Sequence, residues 1–194
     1  MRQIRRLCVY CGSSGAVDER YRAAARELGE LLAKAEIELV YGGGRVGLMG
    51  IIADAVLVGG GRVTGVIPRR LSDAEIAHLG STELIVVSSM HERKHRMFEM
   101  SDAFAVLPGG FGTLDEAFEI ITWRKLGLHD KPVFLLDIAG YWRPLQALVD
   151  HVVGQGFASP LDRQLYTVVT SVEALIPALA AAPRPKTGSQ PERL

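Results

Sequence analysis

The sequence predicts an α/β domain in which helices cover both faces of a parallel sheet. Short apolar runs such as Leu7–Tyr10 and Ala103–Leu107 are continuous, as is typical of strands that are buried on both faces. Segments with apolar residues at helical spacing alternate with these runs. The turns between them carry glycines but no hairpin signals. This alternation of strand and helix is the pattern of a parallel sheet.

Strands and helices are predicted in alternation except at residues 69–82, which are polar and irregular. The predicted strands are Leu7–Tyr10, Glu38–Tyr41, Val63–Ile67, Leu84–Val87, Ala103–Leu107, Val133–Leu136 and Leu165–Val169. The predicted helices are one that begins after Asp18, then Leu48–Val58, Met90–Met100, Thr113–Leu126 and Trp142–Val153, and a last one after Thr170.

Local signals set the ends of these elements. Asp18 is a typical helix N-cap, and the triple glycine 59–61 ends the second helix. Pro68 closes the third strand because proline cannot donate to a sheet ladder. Thr170-x-x-Glu173 has the pattern of a capping box for the final helix, in which Pro177 is expected to produce a kink.

Length and composition fit one globular domain. The chain has 194 residues, of which 48% are hydrophobic and 23% are charged. We predict a single domain over residues 1–182 and a disordered tail at residues 183–194, where proline and polar residues replace apolar ones.

Charge and hydropathy exclude several classes of protein. Lys and Arg total 22, and so do Asp and Glu, so the net charge of zero does not call for nucleic acid or an acidic membrane. No run approaches the ~20 apolar residues of a membrane span. The apolar run after the basic N-terminus is too short for a secretory signal. These features predict a cytoplasmic protein without a nucleic-acid or membrane partner.

Glycine-bearing turns follow the first, second and fifth predicted strands, at residues 11–15, 42–47 and 109–112. In an open parallel sheet such turns share one edge, where ligands bind, so we expect a phosphate or nucleotide there. The candidate residues in these turns are Gly12, Ser13, Ser14, Gly43, Gly44 and Gly109. Gly42-x-Gly44-x-x-Gly47 matches a dinucleotide fingerprint, but it follows the second strand and lacks the acidic residue that holds a ribose. No Walker Gly-Lys-Ser/Thr sequence is present.

The stretch Pro108–Glu116 combines a strand end, a glycine loop and a helix start, which is how α/β proteins build an anion site. Backbone N–H groups of Gly110, Gly112 and Thr113, with the Thr113 hydroxyl, are enough to hold a monophosphate. Glu116 then lies one turn from the phosphate, where it faces the sugar. A second interpretation remains open, because Thr113-Leu-Asp-Glu116 is also a capping box in which Glu116 only closes the helix.

A second group of candidates lies on the helix at Met90–Met100. Arg93 and Lys94 are either ligands for an anion or part of a solvated face. His91 and His95 do not match the zincin pattern, and no other cluster of ligands supports a metal site. Cys8 and Cys11 form a C-x-x-C pair, but they lie at a strand rather than at a helix start, so we interpret them as packing residues.

Two specific motifs give the chain a close resemblance to the Lonely Guy family. They are Met-His-Glu-Arg-Lys at 90–94 and Pro-Gly-Gly-Phe-Gly-Thr-Leu-Asp-Glu at 108–116. The likeness covers about residues 7–157 and includes Val9–Ser14, Val40–Gly44, Val46–Gly50, Ile121–Trp123 and His129–Pro132. Members are cytokinin riboside 5′-monophosphate phosphoribohydrolases, often labelled "lysine decarboxylase-like". Asp115 stands where many members have Glu, which is a mild departure.

The resemblance implies hydrolysis of the N-glycosidic bond of an N6-substituted AMP, with the free base and ribose 5-phosphate as products. It implies Arg93 and Glu116 as the catalytic pair. The binding residues that it implies are Glu75, Arg93, Lys94, Gly110, Phe111, Gly112, Thr113, Leu114, Asp115, Glu116 and Thr122, and Met90 joins them from the same motif. A Rossmann-like fold, a homodimer and the absence of a metal or organic cofactor are implied as well.

The chemistry of the bond agrees with these residues. Breaking it builds positive charge on the ribose, which a carboxylate such as Glu116 can stabilise, while Arg93 can hold the substrate or offset negative charge. A general AMP nucleosidase and a nucleotide carrier without turnover remain as alternatives. Amino-acid decarboxylation does not fit, because no lysine lies in a recognisable pyridoxal-phosphate context.

Overall fold

The computed structural model describes residues 4–72 and 77–183, and within them the predicted alternation of strand and helix is confirmed. The strands are β1 Arg6–Tyr10, β2 Glu38–Tyr41, β3 Val63–Pro68, β4 Glu83–Val87, β5 Ala103–Val106, β6 Val133–Leu136 and β7 Thr167–Val169. The helices are α1 Glu19–Lys34, α2 Gly47–Val58, α3 Arg69–Leu71, α4 Met90–Met100, α5 Phe111–Lys125, α6 Arg143–Gly154 and α7 Leu175–Ala181, with 3₁₀ helices at Ile138–Gly140 and Pro160–Leu165.

All the strands form one parallel sheet, in the order β4-β3-β2-β1-β5-β6-β7. The order reverses between β1 and β5, so the loops that follow these two strands leave in opposite directions and open a crevice. The two loops are joined at the base of the crevice, where the Gly12 N–H donates to the Pro108 carbonyl at 3.0 Å. The topology therefore brings two of the predicted glycine turns together.

A hydrophobic core lies on each face of the sheet, as the continuous apolar strands predict. Along β1, Leu7 and Val9 pack into the core beneath α1, α2 and α7, and Cys8 and Tyr10 pack into the core beneath α4, α5 and α6. Cys8 and Cys11 are free and buried, and burial raises the pKa of the Cys8 thiol to about 12. The packing interpretation of this pair is therefore confirmed.

Two predicted capping boxes are wrong. Helix α5 begins at Phe111 with Gly110 as its N-cap, so Thr113 lies inside the first turn and cannot cap the helix. Helix α7 begins at Leu175 with Ala174 as its N-cap and has no side-chain cap. Pro177 falls in the first turn of α7, where its missing N–H breaks no intrahelical bond, so the reason for expecting a kink falls away.

Some predictions fall on residues outside the described ranges. Glu75 is one of them, and residues 184–194 account for nearly all of the predicted tail. The described part of the irregular segment contains the short α3 and an isolated bridge between Gly44 and Ala77. Among the described residues, no helix combines the length and the apolar character needed to cross a bilayer.

Candidate active site

The centre of the crevice is an ion pair between Arg93 of α4 and Glu116 of α5. The Arg93 Nη1 atom donates to Glu116 Oε1 at 2.5 Å, and each residue is only 7% exposed. The Arg93 Nε atom donates to the Val66 carbonyl at 3.1 Å, which fixes the plane of the guanidinium. The interpretation of Arg93 as part of a solvated face is therefore wrong, because its side chain points inward with Met97.

The start of helix α4 is fixed by capping contacts that place Arg93 on the inward face of the helix. Ser89 is its N-cap and accepts a hydrogen bond from the Glu92 N–H at 3.1 Å. Glu92 in turn accepts from the Ser88 N–H at 2.8 Å, so the first turn is held from both sides. Arg93 follows directly after this clamped turn, on the face that meets the sheet.

Space for the guanidinium comes from Gly42, at the end of β2. A Cβ atom at this position would collide with Arg93 Nη2, so any larger residue would displace the ion pair. The requirement here is a close approach between backbone and side chain, and glycine is the residue that permits it.

Burial and charge have opposite effects on Glu116. Loss of water raises its pKa above the ordinary glutamate value, and the positive charge and hydrogen bond of Arg93 act to lower it. The pKa of Glu116 is raised overall, because the carboxyl group is almost fully enclosed. Glu116 is thus a carboxylate whose charge is favoured chiefly by Arg93 and to a smaller extent by Lys94.

The ion pair forms one wall of a cavity of about 300 Å³. The cavity lies at the carboxyl ends of the strands, between the loops that follow β1 and β5, where α/β proteins bind ligands. Its lining residues are Val9, Tyr10, Cys11, Gly12, Ser13, Gly42, Met49, Leu71, Met90, Arg93, Gly110, Phe111, Gly112, Thr113, Asp115 and Glu116.

The N-terminus of α5 opens into the same cavity. The first-turn N–H groups of a helix have no intrahelical partner, and the helix dipole adds partial positive charge there. Gly110, Gly112 and Thr113 line the cavity at this point, and Thr113 is buried with its side chain against Gly109. The cavity therefore combines an anion cradle with a buried carboxylate.

The structure brings many of the sequence-predicted residues to this cavity. Those that line it are Gly12, Ser13, Met90, Arg93, Gly110, Phe111, Gly112, Thr113, Asp115 and Glu116. Those that do not line it are Ser14, Gly43, Gly44, Lys94, Gly109, Leu114 and Thr122, and Glu75 lies outside the described residues.

Other contacts occupy several of the residues that do not line the cavity. Lys94 Nζ lies 3.1 Å from Asp115 Oδ2 and 3.0 Å from Glu119 Oε1, so it bridges α4 and α5. The Gly43 carbonyl accepts from the His78 N–H at 2.8 Å, on the far side of the turn. Thr122 is exposed on the outer face of α5, more than one turn beyond Glu116.

Sequence reasoning missed part of the lining. The sequence predicts Tyr10 only as a strand residue and Cys11 only as a packing residue at the start of the first glycine turn. It predicts Met49 and Leu71 only as parts of a helix and of the irregular segment. The signal for Cys11 and Met49 was present, because both lie in or beside glycine turns that the resemblance covers. Leu71 lies within the irregular segment 69–82, where no motif marks it as a ligand contact.

Comparison with known proteins agrees with the motifs. The family description "Possible lysine decarboxylase" matches residues 49–179. The chain is 47% identical over 174 residues to the cytokinin riboside 5′-monophosphate phosphoribohydrolase LOG1 of Arabidopsis thaliana, covering 90% of this chain and 82% of that protein. It is 45% identical over 179 residues to LOG5 of the same plant, with 92% and 78% covered. The chain belongs to the Lonely Guy family.

Solved structures confirm the fold of this Lonely Guy protein. The molybdenum cofactor carrier protein of Chlamydomonas reinhardtii has a TM-score of 0.71 at 21% identity, with 92% of this chain and 97% of that chain covered. The molybdenum cofactor binding protein of Rippkaea orientalis has a TM-score of 0.70 at 20% identity, with 93% and 98% covered. At such identities the likeness concerns the Rossmann-like fold alone.

The ion pair makes a testable contribution to stability. We expect Arg93→Met to lower the free energy of unfolding by about 3–5 kcal/mol at pH 8, because the buried Glu116 then has no partner and must either keep an uncompensated charge or bind a proton at alkaline pH. The double variant Arg93→Met/Glu116→Leu should recover most of this loss, since neither charge remains. Guanidinium unfolding of the parent, both single variants and the double variant gives the coupling. A cost below about 1 kcal/mol in both single variants would contradict a buried, coupled pair.

Proposed function

We propose that the protein hydrolyses the N-glycosidic bond of N6-substituted adenosine 5′-monophosphates and releases the free base and ribose 5-phosphate. The observation that carries the proposal is the buried Arg93–Glu116 pair beside a helix N-terminus in one cavity. The names of the relatives at 45–47% identity support it. Residues 1–182 form, in this proposal, a single catalytic domain.

The 5′-phosphate is bound by the first turn of α5. Free N–H groups at Gly110 and Gly112, together with the Thr113 hydroxyl, match the oxygens of a phosphate, and the helix dipole favours its charge. Glu116 lies one helical turn further along the same helix. A nucleotide whose phosphate sits at the helix start therefore presents its ribose to Glu116.

Hydrolysis then needs stabilisation of charge on the sugar. As the bond from C1′ to the purine nitrogen breaks, its electron pair leaves with the base and positive charge develops on the ribose. The carboxylate of Glu116 stabilises that charge and orients the water that adds to C1′. The water loses one proton and the departing base gains one, so the step is balanced.

Arg93 keeps the carboxylate ready for this role. Because burial raises the pKa of Glu116, the carboxyl group would tend to be neutral in the cavity without a cation. Arginine stays protonated in proteins, and Arg93 is held by two hydrogen bonds in a fixed plane. Arg93 therefore maintains the negative charge that the transition state requires.

We expect Glu116→Gln and Arg93→Ala each to lower kcat/KM by about 10²–10⁴, the usual range for a positioned catalytic group. The assay measures ribose 5-phosphate released from isopentenyladenosine monophosphate and from AMP. The ratio of the two rates separates an N6-specific enzyme from a general AMP nucleosidase.

Matched controls for these variants lie on the exposed side of α4. Arg96→Ala and Glu99→Gln remove the same kinds of group from a solvated ion pair, so their rates should stay within about twofold. Near-parent rates in both the Glu116 and the Arg93 variants would overturn the assignment of roles. Tight AMP binding without any release of base by the parent would instead indicate a carrier.

We further propose a homodimer that forms on the outer face of α5. Phe118, Thr122 and Leu126 recur at intervals of four residues and therefore share this face. Phe118 is 40% exposed and Leu126 is 66% exposed, which is unusual for large apolar side chains on one stripe. A second copy is the occupant that the family resemblance supports, and it would also cover Thr122.

Light scattering after gel filtration tests this face. The parent should have about twice the chain mass of 21.1 kDa, and Phe118→Arg/Leu126→Arg should elute as a monomer, because the charges would have to be buried without partners. Phe157→Arg, which alters another exposed apolar side chain, should remain a dimer. A dimeric double variant, or a monomeric parent, would rule out this interface.

We also propose a cytoplasmic location. Cys8 and Cys11 are the two cysteines of the sequence, and both are free thiols in the structure. Unpaired cysteines are typical of reducing compartments. The proposed substrates, nucleoside monophosphates, are also intracellular metabolites.

A further inference from the structure

A side chain outside the cavity holds the backbone of the phosphate loop. The hydroxyl group of Tyr141, in the turn that follows β6, donates to the Gly109 carbonyl at 2.7 Å. On the preceding residue, the Pro108 carbonyl accepts from the Gly12 N–H at 3.0 Å. Two successive carbonyls of the loop are thus bonded to donors that the loop itself does not supply.

The planarity of the peptide bond turns this contact into a constraint on the cavity. In a trans peptide the carbonyl of one residue and the N–H of the next point in opposite directions. A Gly109 carbonyl directed at Tyr141 therefore directs the Gly110 N–H away from Tyr141. Gly109 lines a groove beside Tyr141, and Gly110 lines the cavity on the other side. The Tyr141 hydroxyl thus aims the Gly110 N–H into the cavity.

The loop needs an external restraint because it has little of its own. Gly109 and Gly110 are adjacent glycines, and glycine populates more backbone conformations than any other residue. The peptide between them can rotate at little steric cost unless a hydrogen bond holds it. An N–H that samples several directions is a poor anion ligand, since ordering it on binding costs conformational entropy.

Tyr141 is itself held firmly. Its ring packs edge-on against Tyr21 at 5.5 Å and against Trp142 at 4.9 Å between centroids. Trp142 is fixed in turn, because its backbone N–H donates to Asp137 Oδ1 at 2.6 Å and its indole donates to the Val106 carbonyl at 3.3 Å. The turn reaches this geometry with Ala139 at φ 54°, a conformation that costs free energy in a residue with a side chain.

We propose that Tyr141 is a positioning residue for phosphate recognition, which fixes the Gly109–Gly110 peptide so that Gly110 donates to the 5′-phosphate. The inference rests on the proposed function for the identity of the anion. Tyr141 is not among the residues that line the cavity, and its ring lines the separate groove formed by α5 and α6. Its effect is on affinity for phosphate-bearing ligands.

The substitution Tyr141→Phe tests this role, because it removes the hydroxyl and keeps the ring contacts with Tyr21 and Trp142. We expect KM for isopentenyladenosine monophosphate to rise about three- to tenfold, the range of one neutral hydrogen bond. The kcat value should stay within about twofold, because the phosphate is bound equally in the ground state and the transition state. Tyr21→Phe is the matched control, since it removes a hydroxyl from the neighbouring ring and leaves the Gly109 carbonyl bonded.

Calorimetry separates this role from a merely structural one. The Tyr141→Phe variant should bind AMP and ribose 5-phosphate about three- to tenfold more weakly and should bind adenosine as the parent does. Equal weakening for adenosine and AMP, or an unchanged affinity for both phosphates, would overturn the inference. If the parent releases base neither from isopentenyladenosine monophosphate nor from AMP but the phosphate-specific loss of affinity is found, the proposed function fails and the positioning role of Tyr141 stands.

Discussion

The ion pair between Arg93 and Glu116 imposes the strictest physical requirement on this fold. Two charges that are removed from water lose several kcal/mol of hydration each, and only close, well-oriented contact with each other and with further donors and acceptors offsets that loss. Here the contact is 2.5 Å, and the Val66 carbonyl accepts a further hydrogen bond from the guanidinium. Position 42 must also be a glycine, because a Cβ atom there would collide with Arg93 Nη2. The ion pair therefore forms only when β2, β3, α4 and α5 are all correctly placed relative to one another.

The topology brings Arg93 and Glu116 together because their helices lie on either side of β5 in the chain. Helix α4 ends just before this strand and α5 begins just after it, and both helices pack on the same face of the sheet. Arg93 lies near the start of α4 and Glu116 near the start of α5, so both reach the carboxyl edge of the sheet. The same edge contains the switch between β1 and β5, where the crevice opens. Lys94, bonded to Asp115 and Glu119, holds the outer surfaces of the two helices together beside the buried pair.

Much of the fold could be predicted because its signals are local. The strands Glu38–Tyr41 and Val133–Leu136 and the helix Met90–Met100 have the predicted bounds, since continuous apolar runs and helical spacing determine them directly. The N-terminal ends of α5 and α7 were predicted wrongly, because a Thr-x-x-Glu sequence also occurs where no helix starts at the threonine. In α5 the tertiary pairing of Glu116 with Arg93 replaces the local cap.

The site was predictable in its motifs and less so in its details. Arg93 could be interpreted as solvated or functional from sequence, and only packing against β3 distinguishes the two. Gly43 belongs to the predicted turn, yet it faces away from the cavity, because its positive φ of 74° turns the chain and leaves Gly42 inside. Tyr141 is distant in sequence from Gly109, and no spacing rule connects a tyrosine to a carbonyl across a sheet.

The pH dependence of kcat/KM for release of the free base tests most directly whether a buried, ionised Glu116 drives the reaction. Because burial raises the pKa of Glu116 and the ionised form is the active one, kcat/KM should fall on the acidic side with a midpoint above the ordinary glutamate pKa of 4.5. The residual activity of Glu116→Gln should lack that acidic limb. A midpoint at or below 4.5, or the same limb in the Glu116→Gln variant, would contradict this role of the ion pair.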